Sequence, residues 1–169
     1  MIMNNSGGEK TLRYGQTRKF VTELTMVLRD GSEHSFQKLS KKQLEARRNQ
    51  ANFEGEIYRR VYDLLETNFD LIQNARPKVS KNSSGYRTDK IKLNTDSHKL
   101  LIGSEGTLGI ILSAKLKIKD KPKKKILFVV GYNSINKAAK NCLDIIKTNP
   151  SAIEFVDKTT INQINFKFE

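Results

Sequence analysis

Residues 100–119, LLIGSEGTLGIILSAKLKIK, carry the reading on which the fold turns. Gly103, Gly106 and Gly109 recur at every third position between two apolar runs. Glycine in that rhythm marks either turns that need a positive φ or backbone lying close against something, because no Cβ intervenes. On spacing alone, structural turns and a cradle for a planar or phosphorylated ligand stand level. After Gly109 the period changes. Ala114, Leu116 and Ile118 alternate with Lys115, Lys117 and Lys119, which predicts a strand with one wet face running to about Ile118.

Upstream, residues 20–37 (FVTELTMVLRDGSEHSFQ) read as a hairpin: Leu24, Met26 and Leu28 alternate with polar neighbours, and Asp30-Gly31 is a two-residue turn signal. Ser40 and Gln43 form a capping box for a helix with few apolar positions. A stronger helix is expected from about Glu54 to Asn74, with Ile57, Val61, Leu64, Leu65 and Ile72 at helical spacing and Glu56 one turn from Arg60. Arg76-Pro77 ends it. Residues 80–86 (SKNSSGY) are turn chemistry. Past the basic cluster KDKPKKK, ILFVVGY reads as a buried strand, Asn133 or Ser134 as a cap, and Ile135, Ala138, Ala139, Cys142 and Ile146 as the inner face of a helix. AIEFV reads as another strand. That β-α-β unit leaves sheet edges unpaired, so the second domain is expected to be incomplete.

Length and composition bound the function. The 169 residues suit one domain and part of another, with 37% hydrophobic and 29% charged content. No apolar run reaches the ~20 residues that span a bilayer. The N-terminal MIMNNSGGEK lacks a basic segment followed by an apolar one, so no signal peptide is expected and the expected location is the cytoplasm. One cysteine, Cys142, excludes an intrachain disulfide and a CxxC site, and it reads as core. His34 and His98 show no metal-ligand spacing and read as ordinary surface or turn residues. A net charge of +13 raises nucleic acid as a partner. The lysines alternate along a strand or crowd a linker without interleaved aromatics, so nucleic acid is not the expected partner.

Two loops are rich in small residues, NNSGGEKTLRYG at 4–15 and the glycine stretch. Neither carries the Walker lysine pattern or G-x-G-x-x-G. Lys81 and Arg87 flank the turn segment and are expected in solvent rather than on an acidic substrate. Glu105 reads equally as a ligand contact and as a buried acceptor for backbone N–H groups.

The motifs together resemble one family. NNSGGEKTLRYGQTRKFVTELTMVLRDGS is similar to the Asn-Asn-Ala-Gly-Gly … Tyr-Gly … Val-Leu-Ala-Asp-Gly run of FAD-linked oxidases, the D-lactate, glycolate and 2-hydroxyglutarate dehydrogenase group of the vanillyl-alcohol-oxidase type. KNSSGYRTDKI resembles that group's Lys-Asn-x-x-Gly-Tyr segment, GSEGTLG its Gly-Ser-Glu-Gly-Thr-Leu-Gly signature, and PSAIEFVDKTTI the start of its C-terminal substrate domain. Ser6 stands where alanine is usual.

The resemblance implies an α+β fold: an antiparallel sheet flanked by helices over residues 1–119, the second subdomain of the FAD-binding domain, with a helical insertion at about 40–76. A linker at 120–125 and the first β-α-β unit of the C-terminal domain at 126–169 would follow. It implies FAD as cofactor, with Asn5, Ser6, Gly7 and Gly8 facing the flavin or its pyrophosphate. Tyr14 and Gly15 would shape the wall near the nucleotide, and Glu105, Gly106, Gly109 and Ile110 would lie along the cofactor. The chain is expected to be a fragment at both ends, inactive alone, with a small 2-hydroxy acid as substrate of the complete enzyme. Its partners would be the missing FAD subdomain and, through exposed apolar surface, itself. No general base is named. The alternative is a non-catalytic basic module that kept the fold and binds nucleic acid or an acidic protein.

Overall fold

The structure of the chain, a computed structural model, describes residues 1–75, 77–79, 82–91 and 96–164. In chain order its main elements are α1 (Thr11–Tyr14), β1 (Val21–Val27), β2 (Glu33–Gln37), α2 (Lys41–Arg48), α3 (Phe53–Thr67), α4 (Phe69–Asn74), α5 (His98–Leu101), β3 (Ile110–Leu116), α6 (Ile135–Lys147) and α7 (Lys158–Ile164). They fall into two units, Met1–Ser6 with Gln16–Asp120, and Gly7–Gly15 with the residues from Lys121 onward.

The first unit is α+β, built on an antiparallel sheet in the order β2-β1-β3. β1 and β2 form the expected hairpin, but its loop is one residue longer than the Asp30-Gly31 signal predicts. Gly31 N donates to Leu28 O and Leu28 N to Ser32 O, each at 3.0 Å, so Arg29, Asp30 and Gly31 make the connection. Gly31 closes it at φ 80°, the left-handed position that such three-residue loops require.

β3 pairs with β1, and the register slips twice, leaving Thr22 on β1 and Leu112 on β3 without a partner. Each bulge reverses the face on which the next residues point. For that reason Val21 and Leu24, an odd number of residues apart, are both buried. Ile111 and Ala114 likewise both pack on the core. The expected alternation with one wet face fails beyond Ala114: Leu116 is 53% exposed, and Ile118, past the end of β3, is 92% exposed. Leu24, Met26 and Ile102 are fully buried, with Phe36, Leu39, Leu44, Tyr58 and Leu101 around them. Each such aliphatic side chain contributes about 1.5–3 kcal/mol by leaving water.

The capping box forms as read. Ser40 Oγ accepts from Gln43 N at 3.3 Å, and Gln43 Oε1 accepts from Ser40 N at 2.8 Å. The single long helix expected from Glu54 to Asn74 is two. At Asn68, φ −108° and ψ 21° leave the helical region, and its side-chain amide donates to Leu64 O at 2.8 Å. Asparagine competes for backbone partners in this way, which periodicity cannot register. The Glu56–Arg60 pair forms, at 2.7 Å. Arg76, read as the helix stop with Pro77, lies outside the described residues.

α2 and α3 approach closely at Gly55, where a Cβ would sit 2.2 Å from Gln50 O. Arg59 Nη1 then donates to Arg48 O, and to Gln50 O at 2.7 Å, satisfying carbonyls left open at the end of α2. Buried Glu54 anchors the corner, with Arg47 Nη1 at 2.7 Å and His34 Nδ1 at 3.3 Å from its Oε2.

The second unit departs furthest from expectation. ILFVVGY (126–132) and AIEFV (152–156) form no strand, and Leu127 and Phe128 are more than four-fifths exposed, at 86% and 82%. A strand needs a neighbour to take its backbone bonds, and none of the described residues supplies one. The helix does form, as α6, with Ser134 rather than Asn133 as cap: Ser134 Oγ accepts from Lys137 N at 3.2 Å. Its apolar stripe is uncovered, Ile135 being 67% and Ile146 45% exposed, and Cys142 is half-buried rather than core. Asp157 Oδ1 accepts from Thr160 N at 2.7 Å at the start of α7. No helix among the described residues is long and apolar enough to cross a membrane.

Two outcomes follow from the first unit. Gly55→Ala is expected to cost about 2 kcal/mol or more, since the Gln50 main chain between α2 and α3 must yield, measurable as a shift in urea midpoint. His98, read as a surface or turn residue, is buried at 2% exposure. Burial pushes its imidazole pKa down, Asp96 opposes, and Lys99 and Lys38 push it down further. The unfolded chain takes up a proton near pH ~6.5 that folded His98 refuses. Stability should thus be full above that pH and fall as pH drops towards the lower folded value. His98→Gln should remove that limb from a stability profile taken between about pH 8 and 5.

Candidate functional site

Residues 4–6, the part of the first small-residue loop that lies in the first unit, meet the glycine stretch at one end of that unit. Residues 1–6 coil on themselves, with Asn5 N donating to Ile2 O and Ser6 N to Met1 O, both at 3.0 Å. Asn5 sits at φ 45°, a left-handed geometry that asparagine tolerates better than most residues. Against this coil lies the glycine turn: Gly103 N donates to Ile2 O and Glu105 N to Met3 O, each at 3.0 Å. Buried Ser104 closes the turn from within, its hydroxyl donating to Leu101 O at 2.8 Å.

The three glycines of 103–109 do different things. At Gly103, φ is 86° and a Cβ would stand 3.2 Å from Asn5 Cβ and 3.3 Å from Arg18 Nη2. At Gly109, φ is 150° and a Cβ would meet Val27 O at 2.7 Å. Both are fixed by packing inside the chain. Gly106, at φ 84°, has nothing within 4 Å of a Cβ position and is exposed. It is the one glycine of the three whose open side faces away from the rest of the unit. Glu105, at φ 52°, is exposed too, so it is not the buried acceptor that one reading allowed. Ile110 opens β3 and is 68% exposed.

Arg18 ties the loops together. Its amide donates to Asn5 Oδ1 at 2.9 Å, and its Nη2 donates to Ile102 O. Thr17 donates to Ser6 O through both N (3.0 Å) and Oγ1 (2.7 Å), and Gln16 Nε2 donates to Asn5 O at 3.3 Å. Burial, with Arg87 nearby and Asp89 opposing, pushes the Arg18 pKa down to about 10. Its buried Nε has no hydrogen-bond partner.

The turn segment joins the same end. Gln16 Nε2 donates to Ser83 Oγ at 2.6 Å, and the Tyr86 hydroxyl lies 2.6 Å from Thr107 Oγ1. Arg87, expected in solvent, is instead 11% exposed. It donates to Asp89 through Nε (2.8 Å) and Nη2 (2.9 Å), and to Asn82 O through Nη1 (2.5 Å). Lys81 lies outside the described residues. Gly7, Gly8, Tyr14 and Gly15 belong to the second unit. There Gly15, at φ 85°, ends α1 with its N donating to Thr11 O at 2.8 Å, Gly8 is open on its Cβ side, and the Arg13 guanidinium stands 5.9 Å from the Tyr14 ring centre.

The structure thus gathers Asn5, Ser6, Glu105, Gly106, Gly109 and Ile110 within one unit. Gln16, Arg18, Asp89 and Thr107 were missed by sequence reasoning. A lone cation beside a strand looks like a solvated residue until packing buries it, and only the adjoining Tyr-Gly pointed to this segment. No group of three or more His, Cys, Asp or Glu able to hold a metal occurs among the described residues. The arrangement offers exposed backbone around Gly106 and fixed hydrogen-bonding groups beside it, which suits binding a ligand.

No family model matches the chain. It is 31% identical over 166 residues to D-2-hydroxyglutarate dehydrogenase of Pseudomonas putida, covering 95% of this chain and 16% of that protein. To glycolate oxidase subunit GlcD of Bacillus subtilis it is 30% identical over 162 residues, covering 95% and 24%. To D-lactate dehydrogenase of Anaerostipes hadrus it is 28% identical, again over 95% of this chain and 24% of the relative. The chain therefore spans between about a sixth and a quarter of the length of the curated relatives it matches.

Gly103→Ala should cost more than Gly106→Ala. The first adds a tight contact with Asn5 to the strain of a positive φ, and the second adds the strain alone, ~1–2 kcal/mol. Denaturant midpoints of the two variants check the order.

Proposed function

Since the chain belongs to the FAD-linked oxidase family and spans only part of its relatives, we propose that its first unit supplies one wall of a flavin site. In this reading it is the second subdomain of an FAD-binding domain that serves a dehydrogenase of 2-hydroxy acids. The observation that carries the reading is the exposed, positive-φ backbone at Glu105 and Gly106, held by a turn whose neighbours are all locked from within. Similarity to dehydrogenases of 2-hydroxyglutarate and D-lactate over 95% of the chain supports it.

The flavin, when bound, supplies the acceptor for a hydride from the substrate carbon. This chain's residues bind and orient. Gly106 lets the ligand approach the main chain without a Cβ between them, and Glu105 and Ile110 line the exposed approach. Asn5 and Ser6 hold the opposing coil, and Arg18 keeps that coil and the glycine turn in one register through Asn5 and Ile102. Gly7, Gly8, Tyr14 and Gly15 complete the loop towards the nucleotide. Residues 126 onward open the substrate domain. The remaining wall, the substrate-binding groups and any general base would come from the rest of such an enzyme, since the chain matches about a sixth to a quarter of its relatives' length. A cytoplasmic location accords with this role.

The test is a flavin fluorescence titration of the chain alone and with the complementary part of the Pseudomonas putida enzyme. Alone, FAD should bind weakly and 2-hydroxy acids should not be oxidised. With the complement, affinity should rise, and Gly106→Ala should lower it about tenfold, the equivalent of ~1.4 kcal/mol. A tight stoichiometric flavin on the chain alone would overturn the one-wall reading. No flavin binding even with the complement would overturn the cofactor.

A further inference from the structure

One buried titratable group has no part in the flavin reading: His98, a few residues ahead of Gly103. It opens α5, whose turn is held by Lys99 N donating to Asp96 O and Leu100 N to Ser97 O, each at 2.9 Å. His98, Leu101 and Ile102 are all buried, so α5 is seated in the core of the first unit. From there the chain runs straight into the glycine turn. Arg18 donates to Ile102 O, Gly103 N to Ile2 O and Glu105 N to Met3 O. The His98 Nδ1 atom is buried without a hydrogen-bond partner. Whichever tautomer the neutral ring adopts, a second proton leaves a charged N–H there with no acceptor, the costlier of the two states.

The charges that face the ring do not relieve it. Lys38, just past β2, and Lys99, on α5, both oppose a further positive charge. Asp96 favours one but already holds Lys99 at 3.3 Å. From α3 the Tyr58 hydroxyl meets Ser97, with Glu54 and Arg47 facing that hydroxyl. Burial outweighs the rest and keeps the imidazole less basic than usual. The ring reaches water most cheaply if α5 leaves its seat. α5 is four residues long, whereas β1 is bonded along both edges and holds Leu24 and Met26 fully buried. We propose that α5 is an acid-sensitive latch on the glycine turn: a proton on His98 lifts α5 from the core, and Ile102 and Gly103 part from Arg18 and Ile2. The turn that presents Gly106 is then loosened in acid while the sheet stays folded. The latch rests on packing inside the first unit and holds whichever ligand the turn meets.

Amide hydrogen exchange of the full chain, followed residue by residue in urea well below the unfolding midpoint, reads the latch. The Gly103 and Glu105 amides report the turn, and those of β1 report the sheet. From pH 7.5 to 5.5 the opening constant of the turn amides should rise by up to about tenfold. The released imidazole, with a pKa near 6.5, takes up the proton that seated His98 refuses. That rise should be nearly independent of urea, because a local opening exposes little surface, whereas β1 should exchange through a steeply urea-dependent opening. His98→Gln should abolish the rise. Lys38→Gln, at an exposed position, should shrink it, because removing a facing cation lets seated His98 accept the proton more readily. The proposal is overturned if the wild-type turn amides share the opening constant and urea slope of β1, or open equally at both pH values. It is also overturned if His98→Gln leaves the rise in place.

Discussion

The first unit depends on the approach of two backbones with nothing between them. Residues 2–5 and 103–105 lie about a hundred positions apart, and joining them costs loop-closure entropy that one hydrogen bond does not recover. Two main-chain bonds, the buried Asn5 side chain and the Arg18 guanidinium recover it together. The approach is open only because position 103 lacks a Cβ. Once it is made, the chain leaves the turn towards Gly109, which lies on Val27 O and so fixes where β3 begins beside β1. The bulges at Thr22 and Leu112 follow, because the core demands Val21, Leu24, Ile111 and Ala114 on one face while the start of β3 is already set.

Charge is used unevenly around this core. Arg18 is desolvated far enough to lose much of its excess basicity, and it retains one donor without a partner. Glu54 is buried with one oxygen shared by Arg47 and His34 and the other unsatisfied. Leaving buried polar atoms unmatched costs free energy. The cost is tolerated where a group ties several segments together, as Arg18 does for three and Glu54 for the β2–α2–α3 corner. Positive φ at the non-glycine Asn5 and Glu105 places backbone strain at that same end, the usual company of a ligand-binding loop.

The two units differ in what they do with apolar side chains. In the first, Leu24, Met26 and Ile102 reach full burial, and hydrophobic transfer stabilises the sheet. In the second, Phe128, Ile135 and Phe155 are more than three-fifths exposed, at 82%, 67% and 62%. Apolar surface of that extent marks a place where something else packs. That asymmetry is why the flavin reading rests on the first unit.

The sequence by itself determined what depends on neighbours along the chain. The Ser40–Gln43 box, the hairpin flanking Asp30-Gly31, a cap at Asn133 or Ser134 and the Glu56–Arg60 pair all act over a few residues, and each was legible. So was the family, since four short motifs in order survive in a fraction of their relatives' length. Tertiary structure decided the rest. Glycine spacing left turn and cradle level, and only packing assigned Gly103 and Gly109 to the chain's own contacts while leaving Gly106 open. The burial of His98 and Arg18 and the face of each β3 residue turn on partners many positions away, while the break at Asn68 and the pairing of Arg87 with Asp89 are local but leave no trace in apolar spacing. For ILFVVGY the local pattern said strand, but a strand is a property of two segments, and one sequence run cannot supply the other.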